Sequence, residues 1–418
     1  MFFRLFTLTC VLCLGFAQAV AQTEDKIDWN KAKQLHERML KGEKLTDEEQ
    51  AYHDRAARAI QAKAGKQPDD GIDWNKAQRL HQKFLRGEKL TEEEQAYHDR
   101  AAKALRAKAE AERRPPPAKP PVGLKPLSDM TSEDHYKGQD GGLYGGGKNE
   151  PPEKHLQAAM RQAKLVQPLD AQGKPSEDGR IVLISVGMSN TTQEFSTFVR
   201  LANTFVRLAN ADPGKSPKVV LVDGAQGGMT ADIWAHPGVR NPWEMLDQRL
   251  RQAGVTAGQV QVAWVKQALA GPERLGDFPR HAEVLKGHMV GLLNKLEDRF
   301  PNLRIAYLSS RIYAGYATTR LNPEPYAYES AFVVRWLIQD QIKGEESLAK
   351  SPVLLWGPYL WADGEKGRKT DDLIWRPEDF VSDGTHPSPS GQQKVAELLL
   401  KFMKADPTAK MWFTAEGR

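Results

Sequence analysis

The residues best suited to covalent chemistry in this chain are a serine and a histidine that lie far apart in sequence. Ser189 occurs in Gly187-Met188-Ser189-Asn190-Thr191, directly after the apolar run Ile181 to Val186. A serine at a tight strand-to-helix turn exposes its hydroxyl, and the free backbone N–H groups of the helix start can hold a developing oxyanion. A serine in that place can also be a simple helix cap. Far downstream, Val381-Ser382-Asp383-Gly384-Thr385-His386-Pro387 puts an aspartate three residues before a histidine. On one turn, such an aspartate accepts the imidazole Nδ1–H and leaves Nε2 facing outward, as a general base beside a nucleophilic serine requires. An isolated Asp-x-x-His is a weak signal. Combined with a serine after the first strand it predicts a triad of Ser189, His386 and Asp383.

The elements between these motifs must carry them to one place. Strand-like runs occur at Ile181 to Val186, Lys218 to Asp223, Gln261 to Lys266, Arg304 to Ser309 and Val353 to Gly357. Helical patterns fill the intervals, as in Gln193 to Asn210, His281 to Phe300 and Tyr326 to Ile342, and a last helix is predicted from Ser388 to Lys404. Continuous apolar strands separated by helices predict an α/β domain over 165–410, with a mostly parallel five-stranded sheet covered on both faces. Ligands bind such sheets at the carboxyl ends of the strands, where both motifs fall.

With those blocks in view, the chain resembles the SGNH (GDSL-like) hydrolase family. Gly187-Met188-Ser189-Asn190 is similar to that family's first block, in the Gly-x-Ser-Asn form of sialate O-acetylesterases and related carbohydrate esterases. Asp383-Gly384-Thr385-His386-Pro387 is similar to its last block. The resemblance covers about Arg180 to Asp406 and implies a three-layer, flavodoxin-like SGNH hydrolase domain. Asp223-Gly224-Ala225-Gln226-Gly227-Gly228 ends the second strand, where the family has a glycine whose N–H joins the oxyanion hole; the resemblance gives that role to Gly228. The third block departs from the family pattern. An Asn, or a Trp-x-Gln-Gly motif, is expected, and Trp264-Val265-Lys266-Gln267 stands there. The amide of Gln267 can donate to an oxyanion, with the Lys266 ammonium as its rival. Asn190, Arg311, Tyr313 and Trp375 are candidates for substrate contact, although core packing is an equal alternative for the aromatics.

The N-terminal part of the chain has a different character. Residues 1–21, with Arg4, an apolar run and Ala19-Val20-Ala21, predict a cleaved secretory signal peptide and hence a periplasmic or extracellular protein. Both cysteines, Cys10 and Cys13, lie within it, so the mature chain would have no disulfide and no thiol chemistry. Ile27 to Ala64 and Ile72 to Ala109 are two copies of one sequence within the region 27–110. Each predicts a helical hairpin, with Asp28 capping the first helix and Thr46-Asp47-Glu48-Glu49 opening the second as a capping box. The recurring His36, His53, His81 and His98 read as solvated helix positions, since no second close ligand accompanies each. The stretch 111–160 is rich in proline and glycine and reads as a linker. Within it, Gly142 to Lys148 nearly spells a phosphate loop, but Asn149 stands where Ser or Thr is needed and no strand precedes it.

Composition narrows the function further. Of 418 residues, 59 are basic and 54 acidic, a net +5 without a basic stripe, which argues against nucleic acid as a partner. No stretch after the signal is apolar enough to span a membrane. The expectation is an exported serine esterase that needs no metal or organic cofactor. Its substrate would be a small ester or an O-acyl group on a carbohydrate, and the repeats would bind an envelope component or a protein. The alternative is a non-catalytic carbohydrate-binding or envelope scaffold protein on the same fold.

Overall fold

The computed structural model describes residues 72–85, 90–208 and 214–415, with isolated positions between 28 and 56. The predicted signal peptide and most of the first repeat, including His36 and His53, lie outside the described residues. The chain divides into two compact units, Met1–Ala104 and Leu105–Arg418.

In the first unit the second repeat forms helices α1 (Trp74–Leu85) and α2, which begins here and spans Glu92–Arg113. The starts of both follow from their caps. The Lys76 N–H donates to Asp73 Oδ1 at 3.1 Å, and Thr91 and Glu94 form a reciprocal box, with each backbone N–H donating to the other's side chain. The Tyr97 hydroxyl accepts the Asp73 N–H at 2.6 Å and so holds the hairpin's two arms together. The same bonds recur in the first copy, between Thr46 and Glu49 and from the Asp28 N–H to Tyr52. Ala77, Leu80 and Ala101 are buried between the arms.

The second unit is built on five parallel strands: β1 (Ile181–Gly187), β2 (Val219–Asp223), β3 (Val260–Lys266), β4 (Ile305–Ser309) and β5 (Val353–Trp356). Every residue of β1, β3 and β4 is buried, which explains their predominantly apolar sequences. The helices in chain order are α3 (Glu153–Leu165), α4 (Ser189–Leu208), α5 (Ala231–Ala235), α6 (Pro242–Gln252), α7 (Arg280–Arg299), α8 (Tyr326–Lys343), α9 (Pro389–Ala405) and α10 (Pro407–Phe413). Contacts sort them into two layers. One holds α3, α4, α9 and α10, and the other α5, α6, α7 and α8. The fold is therefore three-layer α/β/α, as the strand and helix patterns predict.

The strand order is β2-β1-β3-β4-β5. After β1 the chain steps outward to β2 and then returns across β1 to β3, so the direction of winding reverses between β1 and β3. That reversal opens a crevice at their carboxyl ends. Gly187, the last residue of β1, pairs with Lys266, the last of β3, at the floor of this crevice.

The segment 111–160 differs from a linker. Pro116 is buried, Lys119 donates to the Ala317 carbonyl at 2.9 Å, and the N–H groups of Val122 and Gly123 donate to the Asp363 carboxyl. Leu127 and Met130 lie in the main core, and the Leu127 N–H reaches the Tyr359 hydroxyl at 3.0 Å. The glycines serve close packing, since a Cβ on Gly141 would stand 2.3 Å from the Met130 carbonyl. α3 begins at Glu153, inside the stretch read as linker. Composition suggested a spacer because the strap's partners are far away in sequence. Leu127→Ala should therefore lower the unfolding free energy by about 2–5 kcal/mol, measured by urea denaturation. An unchanged midpoint would mean the strap is not part of the core.

Candidate active site

The turn after β1 is forced by space. A Cβ on Gly187 would lie 2.5 Å from the Lys266 carbonyl oxygen and 2.3 Å from the Thr191 hydroxyl, so the start of α4 can approach β3 only over a glycine. The Thr191 hydroxyl uses that closeness to donate to the Lys266 carbonyl at 2.8 Å. α4 starts at Ser189, whose side chain is partly exposed in the crevice beside the first-turn N–H groups.

The loop before α9 brings the histidine to it. Ser189 Oγ lies 2.8 Å from His386 Nε2, and His386 Nδ1 lies 2.6 Å from Asp383 Oδ2. A carboxylate at Nδ1 selects the tautomer with its proton there, which leaves Nε2 as the acceptor for the serine hydroxyl. The other Asp383 oxygen accepts the N–H groups of Thr385 and His386 at 2.8 and 2.9 Å. Burial pushes the Asp383 carboxyl up, but the bonds from the imidazole and these two N–H groups outweigh it and hold the group below its ordinary value. Gly384, at φ +64°, permits the turn, because a Cβ there would lie 2.1 Å from the Tyr316 carbonyl oxygen. The three residues of the predicted triad thus form one continuous hydrogen-bonded line.

Asn190 is buried, and its Nδ2 donates to the Thr385 carbonyl at 2.9 Å. It ties the serine turn to the histidine loop, and its burial there corrects the substrate-contact expectation. Tyr313 and Trp375 require the same correction. Tyr313 and Trp375 have no exposed surface, and Arg311 retains 2%. Trp375 donates to the Leu360 carbonyl and packs on Phe380, while Tyr313 packs against Tyr316 and Trp361. The Arg311 guanidinium sits in the field of Glu194, Glu324 and Asp383, and burial lowers its pKa. Arg311 and Tyr313 follow the end of β4, as site residues do, but both are buried.

The oxyanion candidates fare differently. The Gln226 N–H donates to the Gly187 carbonyl at 3.1 Å, laying the loop after β2 beside the serine turn, and Gly228 in that loop is exposed at φ +72°. Asp223 anchors the loop by accepting hydrogen bonds from Ser185, Thr192 and Ser196. Gln267 is buried, and neither its amide nitrogen nor its oxygen has a partner among the described residues. Lys266, its rival, is wholly buried and ion-paired with Glu194, so it presents no ammonium to a substrate. Burial lowers Lys266 to about 8 despite that partner, and burial raises Glu194. Glu194 was missed in the sequence. The available signal was a single carboxylate on the apolar face of a helix, matched by a single lysine ending an apolar strand. Among the described residues, no group of three or more His, Cys, Asp or Glu side chains is placed to hold a metal.

Comparison with known proteins adds little to this geometry. No protein-family model matches the chain, and no curated protein does. Among solved structures, a candidate acylhydrolase from Bacteroides fragilis is similar at 13% identity and a TM-score of 0.30, over 60% of this chain and 96% of its own. A GDSL-like lipase from Bacteroides thetaiotaomicron is similar at 12% identity and a TM-score of 0.29, over 59% of this chain and 95% of its own. A protein from Arabidopsis thaliana aligns at 17% identity and a TM-score of 0.27, over 49% of this chain and 67% of its own. Likenesses this distant support no statement about activity.

Glu324 ties together the segment after β4, the start of α8 and Trp361. Its carboxyl accepts the N–H groups of Ala314 and Tyr328 and the indole of Trp361, yet burial pushes it up to about 7. A carboxyl raised above its unfolded value near 4.5 stabilises the fold fully below pH 4.5, and that stability is lost as pH rises through 7. The Tm of the wild type, measured relative to Glu324→Gln, should therefore fall between pH 5 and 8. Parallel Tm profiles for the two proteins would contradict the assignment.

Proposed function

We propose that the protein is a serine esterase acting through Ser189, His386 and Asp383, and that it removes O-acyl groups from a carbohydrate. One observation carries the catalytic reading: the hydrogen-bonded line from Ser189 Oγ through His386 to Asp383, at the crevice between β1 and β3. Ser189 Oγ attacks the ester carbonyl as its proton passes to His386 Nε2. Asp383 stabilises the imidazolium that forms. His386 then returns the proton to the departing sugar oxygen, leaving an acyl-serine. In the second half, a water loses its proton to His386 and attacks the acyl group; His386 passes that proton to the departing Ser189 Oγ, which frees the acid and restores the enzyme. The backbone N–H groups of Ser189 and Gly228 and the Gln267 amide supply the oxyanion donors.

The substrate class rests on the similarity of Gly187-Met188-Ser189-Asn190 to the Gly-x-Ser-Asn block of carbohydrate esterases. Export is proposed from residues 1–21, and envelope or protein binding by the repeats from their duplication. Ser189→Ala and His386→Ala should each lower kcat on p-nitrophenyl acetate and on an acetylated polysaccharide by at least about 10³-fold. Full activity in either variant, with native circular dichroism, would rule out the triad. Gln267→Ala should cost about 10²- to 10³-fold in kcat with little change in KM, as expected for a lost oxyanion donor. A variant near wild type would remove Gln267 from the site.

A further inference from the structure

The proposed mechanism leaves one costly feature unused. Lys266 and Glu194 are both fully buried and form a direct ion pair between the end of β3 and the second turn of α4. Removing two charges from water costs several kcal/mol per ion, and an apolar pair of similar volume is often as stable or more so. Stability alone gives no reason for ions here. What an ion pair adds over apolar packing is direction, since it accepts only a narrow set of relative positions.

The location shows what that direction constrains. Glu194 lies on the helix that begins with Ser189, and Lys266 immediately precedes Gln267 in the chain. The Thr191 hydroxyl, between Ser189 and Glu194, is bonded to the Lys266 carbonyl. Lys266 therefore holds the start of α4 at two points, through its carbonyl and through its ammonium. Gly187, the residue before this turn, is in register with Lys266 across β1 and β3. The charged groups around the pair are Arg311, which faces both members, and His386, which faces Glu194. The pair thus connects the β3 end, the serine helix and the histidine.

We propose that Lys266 and Glu194 are positioning residues. Their ion pair, with the Thr191 bond, fixes the Ser189 turn against the end of β3 and so sets where the oxyanion forms between the Ser189 N–H and Gln267. This inference rests on the serine-esterase reading. Neither residue touches substrate, and loss of the pair should slow the chemical step without weakening substrate binding.

The test separates position from stability. The double variant Glu194→Met/Lys266→Met replaces both ions by apolar chains and should keep its Tm within a few degrees of wild type. Active sites are counted by end-point labelling with a p-nitrophenyl phosphonate, so kcat refers only to competent enzyme. The expected result is a loss of at least about tenfold in kcat per labelled site, with KM within about threefold; a transition-state interaction lost without ground-state binding gives this pattern. A milder pair addresses the same constraint without disturbing the ions. Thr191→Val should lose kcat about three- to tenfold at unchanged KM, and Thr191→Ser, which keeps the hydroxyl, should be near wild type. If the double variant does not fold, the Thr191 pair decides alone. Wild-type kcat per site in the double variant, or equal kcat in Thr191→Val and Thr191→Ser, would overturn the proposal. Absence of any phosphonate on Ser189 in the wild type would overturn the serine-esterase reading itself, and this inference with it.

Discussion

The closeness of two chain segments at Gly187 governs the rest of the site. With a hydrogen in place of a side chain there, the first turn of α4 settles directly onto the end of β3, near enough for the Thr191 hydroxyl to reach the Lys266 carbonyl. Any Cβ would push the two apart. From this contact follow the direction in which Ser189 leaves the sheet, the exposure of the helix N–H groups beside it, and the burial of Glu194 against Lys266. The loop after β2 then has a surface to rest on, through the Gln226 N–H and the Gly187 carbonyl. The histidine loop is joined to the same turn from the other side through Asn190.

Around this contact several carboxylates hold loops in place. Asp223, Glu324, Asp363 and Asp379 each accept a bond from a backbone N–H in a segment without regular strand or α-helical structure, Ala225 in the case of Asp223. Buried carboxylates are expensive unless so satisfied. Their arrangement gives the irregular carboxyl edge of the sheet the rigidity that strands have through their ladders. The proposed catalytic line, which depends on a 2.8 Å hydrogen bond between residues on α4 and on the loop before α9, needs such support.

Much of this was legible in the sequence where the determinants are local. The five strands are apolar runs ended by polar or turn residues, and their observed limits fall within a residue of the predicted ones. The juxtaposition of Ser189, His386 and Asp383 was legible because Asp383 and His386 share one turn and Ser189 follows a strand. The short helices α5, α6 and α10 gave too few residues for a clear period, and α3 was hidden by its proline- and glycine-rich surroundings. The strap from Pro116 to Asn149 and the burial of Arg311, Tyr313 and Trp375 depend on partners distant in sequence, such as Asp363, Tyr359 and the Tyr316 to Glu324 loop. No pattern within the segments themselves contains that information. The burial of Lys266, the rival to Gln267, was illegible for the same reason, because its partner Glu194 lies on another element.

On the proposed mechanism Ser189 becomes acylated during turnover. Incubating the protein with p-nitrophenyl acetate, quenching with acid within the first turnovers and digesting it for peptide mass spectrometry tests this directly. One acetyl group on the peptide containing Ser189, localised to that residue and absent from the His386→Ala protein, is the result the structure leads us to expect. Ester hydrolysis with no adduct on Ser189, or an adduct that persists undiminished without His386, would contradict the account.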